Sequence, residues 1–236
     1  MSTKKRLILM TFYILVGVLS LIGILFCSVQ PDMSFHFLNP SQFFGVFAFI
    51  VSLMNALYLF FSRKEKMPLW ISCPTLGVTC FGILLLFLTF LFGFPIFDPS
   101  NSVWESFVTS DAIYLGLFVP LLFLGLFLFT PQKTKNVYIS SLFGLSFVLF
   151  YIIVASVYFA VTKDLSNLLT SSQRILRLSF VKDSLLTIGS FIYAFLCLCF
   201  SYGFALLFEF ANLRINFKKT KNNCKTDTIS SNNEGF

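Results

Sequence analysis

Short polar breaks divide the chain into apolar runs of a length that a soluble fold does not need. Crossing a hydrocarbon core as a helix takes roughly 17 to 25 residues, and such runs lie at about 7–29, 43–61, 71–94, 112–129, 137–161 and 184–208. They are apolar on every face, whereas the strands of a membrane barrel alternate apolar with polar residues. The sequence therefore predicts an all-α, polytopic integral membrane protein. A six-transmembrane-helix bundle occupies 1–215, and a disordered, basic cytoplasmic tail follows at 216–236. Only 11% of the residues are charged, against roughly a quarter in a soluble domain, too few to cover a water-facing surface.

Orientation follows from the flanking cations, because short cytoplasmic loops hold more Lys and Arg than external ones. With the amino terminus inside, Lys4, Lys5, Arg6, Arg63, Lys64, Lys66, Lys133, Lys135, Arg214, Lys218, Lys219, Lys221 and Lys225 are cytoplasmic, 13 of the 17 basic residues. The other four, Lys163, Arg174, Arg177 and Lys182, share one external loop. Both termini are placed in the cytoplasm of a cell whose plasma membrane holds the bundle. The first run follows Lys4-Lys5-Arg6 as a signal peptide would, but it is 23 residues long and lacks a small-residue cleavage site, so it is expected to stay as a helix. Phe26 before Cys27 argues against lipidation there.

The net charge of +7 sits at membrane flanks and in the tail, which points to the lipid bilayer as the partner and away from nucleic acid. The basic run from Arg214 to Lys225 is suited to anionic inner-leaflet lipid, at about 1 kcal/mol per cation near the surface. The 34 Phe and the 12 Lys against 5 Arg match the codon usage of an AT-rich genome, so the phenylalanines are not read as a binding platform. A bacterial source is expected, and no glycosylation acceptor is present.

Chemistry is bounded mainly by what is missing. The chain has no Gly-rich phosphate loop, no His-Glu-x-x-His, no Gly-x-Ser-x-Gly and no cysteine pair at zinc spacing. Its one histidine, His36, falls in the first external loop and excludes a multi-histidine metal site. Cys27, Cys73, Cys80, Cys197 and Cys199 lie in or beside spans and read as small apolar filler. Cys224 sits in the tail. No metal and no cofactor are expected.

The polar candidates are few. Asn39 can cap the second span, with Pro40 in its first turn. Asn55, inside that span, needs a neighbouring helix to bond to. Gly45 with Ala48, Ser140 with Gly144 and Ser190 with Ala194 read as seams where helix backbones approach closely. Ser102-Val103-Trp104-Glu105 fits a capping box, which would start the fourth helix at Val103, set Asp111 at the outer membrane edge and leave Pro120 to kink the helix near mid-depth. An ionisable residue at that depth is a functional candidate. The loop at 162–183 has Leu165, Leu168, Leu169, Leu176 and Phe180 near one face of a possible interfacial helix. From there Arg174 and Arg177 could face Glu105 and Asp111. Asp111, Glu105, Arg174, Arg177 and Asn55 are thus the candidate lining of a polar cavity.

Six spans with both ends inside, Phe37-Leu38-Asn39-Pro40-Ser41-Gln42 opening the second span, and Pro120 in the fourth resemble the androgen-induced-protein family of membrane hydrolases and its bacterial six-pass relatives. That family's second-span motif reads approximately Phe-Thr-x-x-Ser-Asn, and a histidine stands about one turn before the fourth-span proline. Here the positions hold Leu38, Gln42 and Gly116, so the resemblance implies the fold without the catalytic Thr and His. The leading expectation is a non-catalytic protein that binds a small or lipidic ligand, or a subunit of a membrane complex. The alternatives are a lipid hydrolase or acyl transferase with an acid site at Asp111 and Glu105, and a small transporter subunit.

Overall fold

The computed structural model describes residues 3–29, 40–62, 66–93, 114–132, 136–162 and 188–232. The elements are α1 (Thr3–Val29), α2 (Pro40–Phe61), α3 (Leu69–Gly93), a π-turn (Tyr114–Phe118) leading into α4 (Val119–Phe129), α5 (Val137–Leu142), a 3₁₀ turn (Phe143–Leu145), α6 (Ser146–Thr162) and α7 (Ile188–Asn232). Among the described residues the only bridge between extended segments is an isolated one, Met67 with Gln132. Five helical stretches are long and apolar enough to cross a bilayer: Thr3–Leu25, Pro40–Phe61, Leu69–Leu88, Val137–Ala155 and Ala194–Asn216. Leu115–Phe129 is a shorter apolar helix.

The helices pack with alternating directions. Arg6 Nη1 donates to the Ser62 carbonyl at 3.4 Å, and the Met67 amide donates to the Pro131 carbonyl at 3.0 Å. The start of α1, the end of α2, the start of α3 and the end of α4 therefore share one end of the bundle. At the opposite end, an added Cβ on Gly23 of α1 or on Gly45 of α2 would stand 2.7 Å or 3.0 Å from Leu115.

Two irregularities have local causes. Pro120 has no N–H for the Gly116 carbonyl four residues back, and the chain takes a wider π-turn before α4 begins. Among the described residues Pro120 thus lies at the junction of the π-turn with the α-helix. The 3₁₀ turn at Phe143–Leu145 lies where Gly144 meets Ala205 of α7, whose Cβ would be 2.5 Å from a Cβ at Gly144.

Among the described residues the apolar stretch of α7 covers Ala194–Asn216, past the expected end of the last span at 208, so Glu209 and Asn212 fall inside it and are buried at 2% exposure each. The backbone stays helical to Asn232, through the segment from 216 expected as a disordered tail. Lys and Arg are good helix formers, and four of them stand between 214 and 221.

The apolar core joins α1 to α4 through Tyr13, Phe43, Phe44, Phe81, Leu115 and Phe123, and a smaller cluster of Leu76, Cys80, Phe127, Ala205 and Phe208 joins α3, α4 and α7. Phe43 lies 5.5 Å from Phe81 and 5.2 Å from Tyr151, both edge-on, the arrangement that ring quadrupoles favour. The outer faces carry large exposed apolar side chains, among them Phe12, Leu57, Trp70, Ile153 and Leu207.

Candidate functional site

Most buried hydroxyls in these helices are satisfied by their own turn. Ser20, Thr75, Thr79 and Thr130 each donate to the carbonyl four residues back at 2.6 to 2.8 Å, the bond that makes Ser and Thr tolerable in an apolar helix. The polar groups that reach across helices are therefore the informative ones. They fall in two places.

The first is between α2 and α3. Asn55 is fully buried, and its amide donates to the Val51 carbonyl at 2.7 Å and to Thr75 Oγ1 at 2.8 Å. Its Oδ1 has no partner. Of the residues that the sequence nominates, Asn55 is the one described. Asp111, Glu105, Arg174 and Arg177 lie outside the described residues, as do His36, Asn39 and the capping box at Ser102. Gly45, Ala48, Ser140 and Gly144 are buried at helix contacts, where small residues were expected.

The second place is the seam of α7 with α3, α4 and α5, and it centres on residues that the span count passed over. One stripe of α7 faces inward: Ser201, Ala205, Phe208, Glu209 and Asn212. The Asn212 amide donates to the carbonyls of Phe127 at 2.6 Å, Leu128 at 3.2 Å and Thr130 at 2.9 Å. Those carbonyls end α4, and the last four of any helix have no partner within it. Asn212 is thus a C-cap supplied from another helix. Asn216 continues the stripe, bonding back to the Asn212 carbonyl at 2.9 Å and reaching the Leu128 carbonyl at 3.4 Å. Tyr13 of α1 touches the same end through Thr130 Oγ1 at 3.4 Å.

Glu209 lies one turn before Asn212. The Ser140 hydroxyl lies against its carboxyl and donates to the Val137 carbonyl at 3.1 Å. Glu209 Oε2 has no partner, and neither does Ser141 Oγ. Ser201 secures the turn opposite by donating to the Gly144 carbonyl at 2.9 Å. Among the described residues no group of three His, Cys, Asp or Glu converges in a way that could hold a metal ion.

Beside this seam, on the outer side of α3, a groove of about 380 Å³ is lined by Leu69, Trp70, Cys73, Pro74, Phe143, Ser146 and Phe147. It forms where two irregular backbones meet, Pro74 inside α3 and the 3₁₀ turn after α5. Gly77 brings them together, since a Cβ there would stand 3.1 Å from the Phe143 carbonyl oxygen. Trp70 and Phe143 at its mouth are exposed.

No family model, no curated protein and no solved structure matches this chain. The signal that could have found the α7 stripe was present in the sequence as Ser201, Ala205, Glu209, Asn212 and Asn216, spaced four, four, three and four residues apart on one helix face. It was hidden because Glu209 was read as the boundary that ends a span.

Proposed function

We propose that the chain is a six-span protein of the plasma membrane with both termini cytoplasmic, and that it serves as a non-catalytic binding protein for a lipidic ligand. Support for six crossings comes from the gathering at one bundle end of Arg6, Ser62, Met67 and Pro131, each beside a helix start or end, with Asn212 reaching the end of α4 from within α7. The cation distribution supports an inner position for that end. A phosphatase fusion at the carboxyl terminus tests this: it is expected to be inactive, and an active fusion overturns the orientation.

The binding reading rests on one observation, the groove between α3 and the 3₁₀ turn. Its volume falls in the roughly 300–1,000 Å³ range of ligand clefts. Its lining is almost entirely apolar, and it opens on a face of exposed apolar side chains. The occupant that fits is one acyl chain of an anionic inner-leaflet phospholipid. The bilayer supplies the chain, and Lys66, three residues before Leu69 and exposed, stands where a phosphate headgroup would lie. Native mass spectrometry after delipidation, followed by titration with phosphatidylglycerol, is expected to show one retained lipid per chain. Ser146→Trp, which fills the groove from its exposed rim, is expected to abolish that retention. Unchanged retention by the variant would remove the groove as the site.

A further inference from the structure

Glu209 is not used by the lipid groove, and its surroundings ask for a different ligand. Within the α5–α7 seam the two helices run antiparallel in a definite register. Tyr138 lies 6.4 Å from Phe210, Ser140 meets the Glu209 carboxyl, and Gly144 meets Ala205. Ser141, one residue beyond Ser140 toward Gly144, is fully buried. The seam therefore holds two buried side-chain oxygens without a hydrogen-bond partner, Glu209 Oε2 on α7 and Ser141 Oγ on α5. Among the described residues no Lys or Arg is paired with Glu209. Arg214 is exposed and lies five residues on, about 140° around the helix.

We propose that Glu209, Ser140 and Ser141 form an intrabundle binding site for a monovalent alkali cation. The donor set is one carboxylate and two hydroxyls, hard oxygens that suit ions of the alkali and alkaline-earth kind rather than soft metals. Charge decides between those two. A single carboxylate balances one positive charge, whereas a divalent ion would leave a net charge buried in an apolar bundle, which is heavily penalised. Among the described residues no group of three His, Cys, Asp or Glu includes Glu209 as a soft-metal site. A cation here would tie α7 to α5 at the level of the close contact between Gly144 and Ala205, two helices otherwise joined in this stretch by the Ser201 bond to the Gly144 carbonyl.

The test uses the full chain in nanodiscs, with NaCl, KCl or LiCl titrated against choline chloride at constant ionic strength. A ligand that binds only the folded state raises the melting temperature saturably. The expected result is such a rise for at least one alkali ion, lost in Glu209→Gln. In Ser141→Ala the half-saturating concentration is expected to rise by about tenfold, the equivalent of one lost hydrogen bond to a charged partner. Radioactive ²²Na⁺ or ⁸⁶Rb⁺ binding to wild type and to Ser141→Ala keeps the proposal open to refutation should Glu209→Gln not fold. Equal melting temperatures of the wild type in all four salts would overturn it, and so would a cation response that survives in Ser141→Ala unchanged.

Discussion

The α1–α2 seam and the α5–α7 seam are both built on small residues, and they are closed by different physics. Between α1 and α2, Gly17 faces Ser52, whose hydroxyl is already bonded to the Phe49 carbonyl of its own helix at 2.8 Å. Contact there is made by Leu9, Tyr13, Val16, Ala48 and Val51, and little polar chemistry crosses. Between α5 and α7, Gly144 lets Ala205 in, and on either side of that contact the polar groups reach across: Ser201 to Gly144, Ser140 to Glu209, Asn212 to the end of α4. The first seam is held by dispersion between well-fitted surfaces. The second depends on particular polar atoms whose loss leaves others buried and unpaired.

The largest effect that separates the two is expected at Asn212. Asn212→Leu keeps the volume and strands carbonyls at the end of α4. An unsatisfied buried group costs about 1–3 kcal/mol, so a loss of roughly 3 kcal/mol is expected in reversible unfolding from mixed micelles. A change below about 1 kcal/mol, the size of an ordinary hydrogen bond, would mean that the cap is incidental.

Adding one methyl to each seam sharpens the contrast. Gly144→Ala drives a Cβ to 2.5 Å from the Ala205 Cβ, which cannot rotate away, and overpacking of this kind costs about 1–3 kcal/mol. In Gly17→Ala the obstacle at 2.7 Å is the Ser52 hydroxyl, which can turn aside, and less than about 1 kcal/mol is expected. Thermal melts of the two variants side by side decide the order. The reverse order would place the tighter seam at α1–α2.

Asn55→Leu removes the bond to Thr75 and the unpartnered Oδ1 together. Bonds between helices in bilayers average about 0.6 kcal/mol, and the lost bond is partly offset by relief of the stranded oxygen. A change within about 0.6 kcal/mol is expected, read by the same unfolding assay. Tyr13→Phe should be smaller still, since its contact with Thr130 is 3.4 Å long and Thr130 keeps its own bond to Leu126. A loss above about 1 kcal/mol would show that α1 is anchored to the capped end more firmly than that distance implies.

These residues also show what the sequence could and could not disclose. Helix identity was legible from run length, and the seams at Gly45, Ala48, Ser140 and Gly144 were legible because small residues repeat where backbones approach. Asn55 stood out as one amide in an apolar run. Glu209 and Asn212 did not, because a count of apolar residues treats an ionisable side chain as the end of a span. Only helix-face spacing shows that they continue the stripe begun at Ser201. Pro120 was noticed, but its role depends on where the helix around it begins, which a capping box alone does not fix.

The cap at Asn212 joins residues 85 positions apart in the chain, and this has a consequence for how the protein is made. While α4 is being laid into the membrane, the asparagine that will close its final turn has not been synthesised. The nascent bundle must hold that end open, or wet, through the whole insertion of α5 and α6. A ribosome that stops before codon 212 would therefore release a product with its apolar helices in place and one exposed backbone end, a defect visible to membrane proteases.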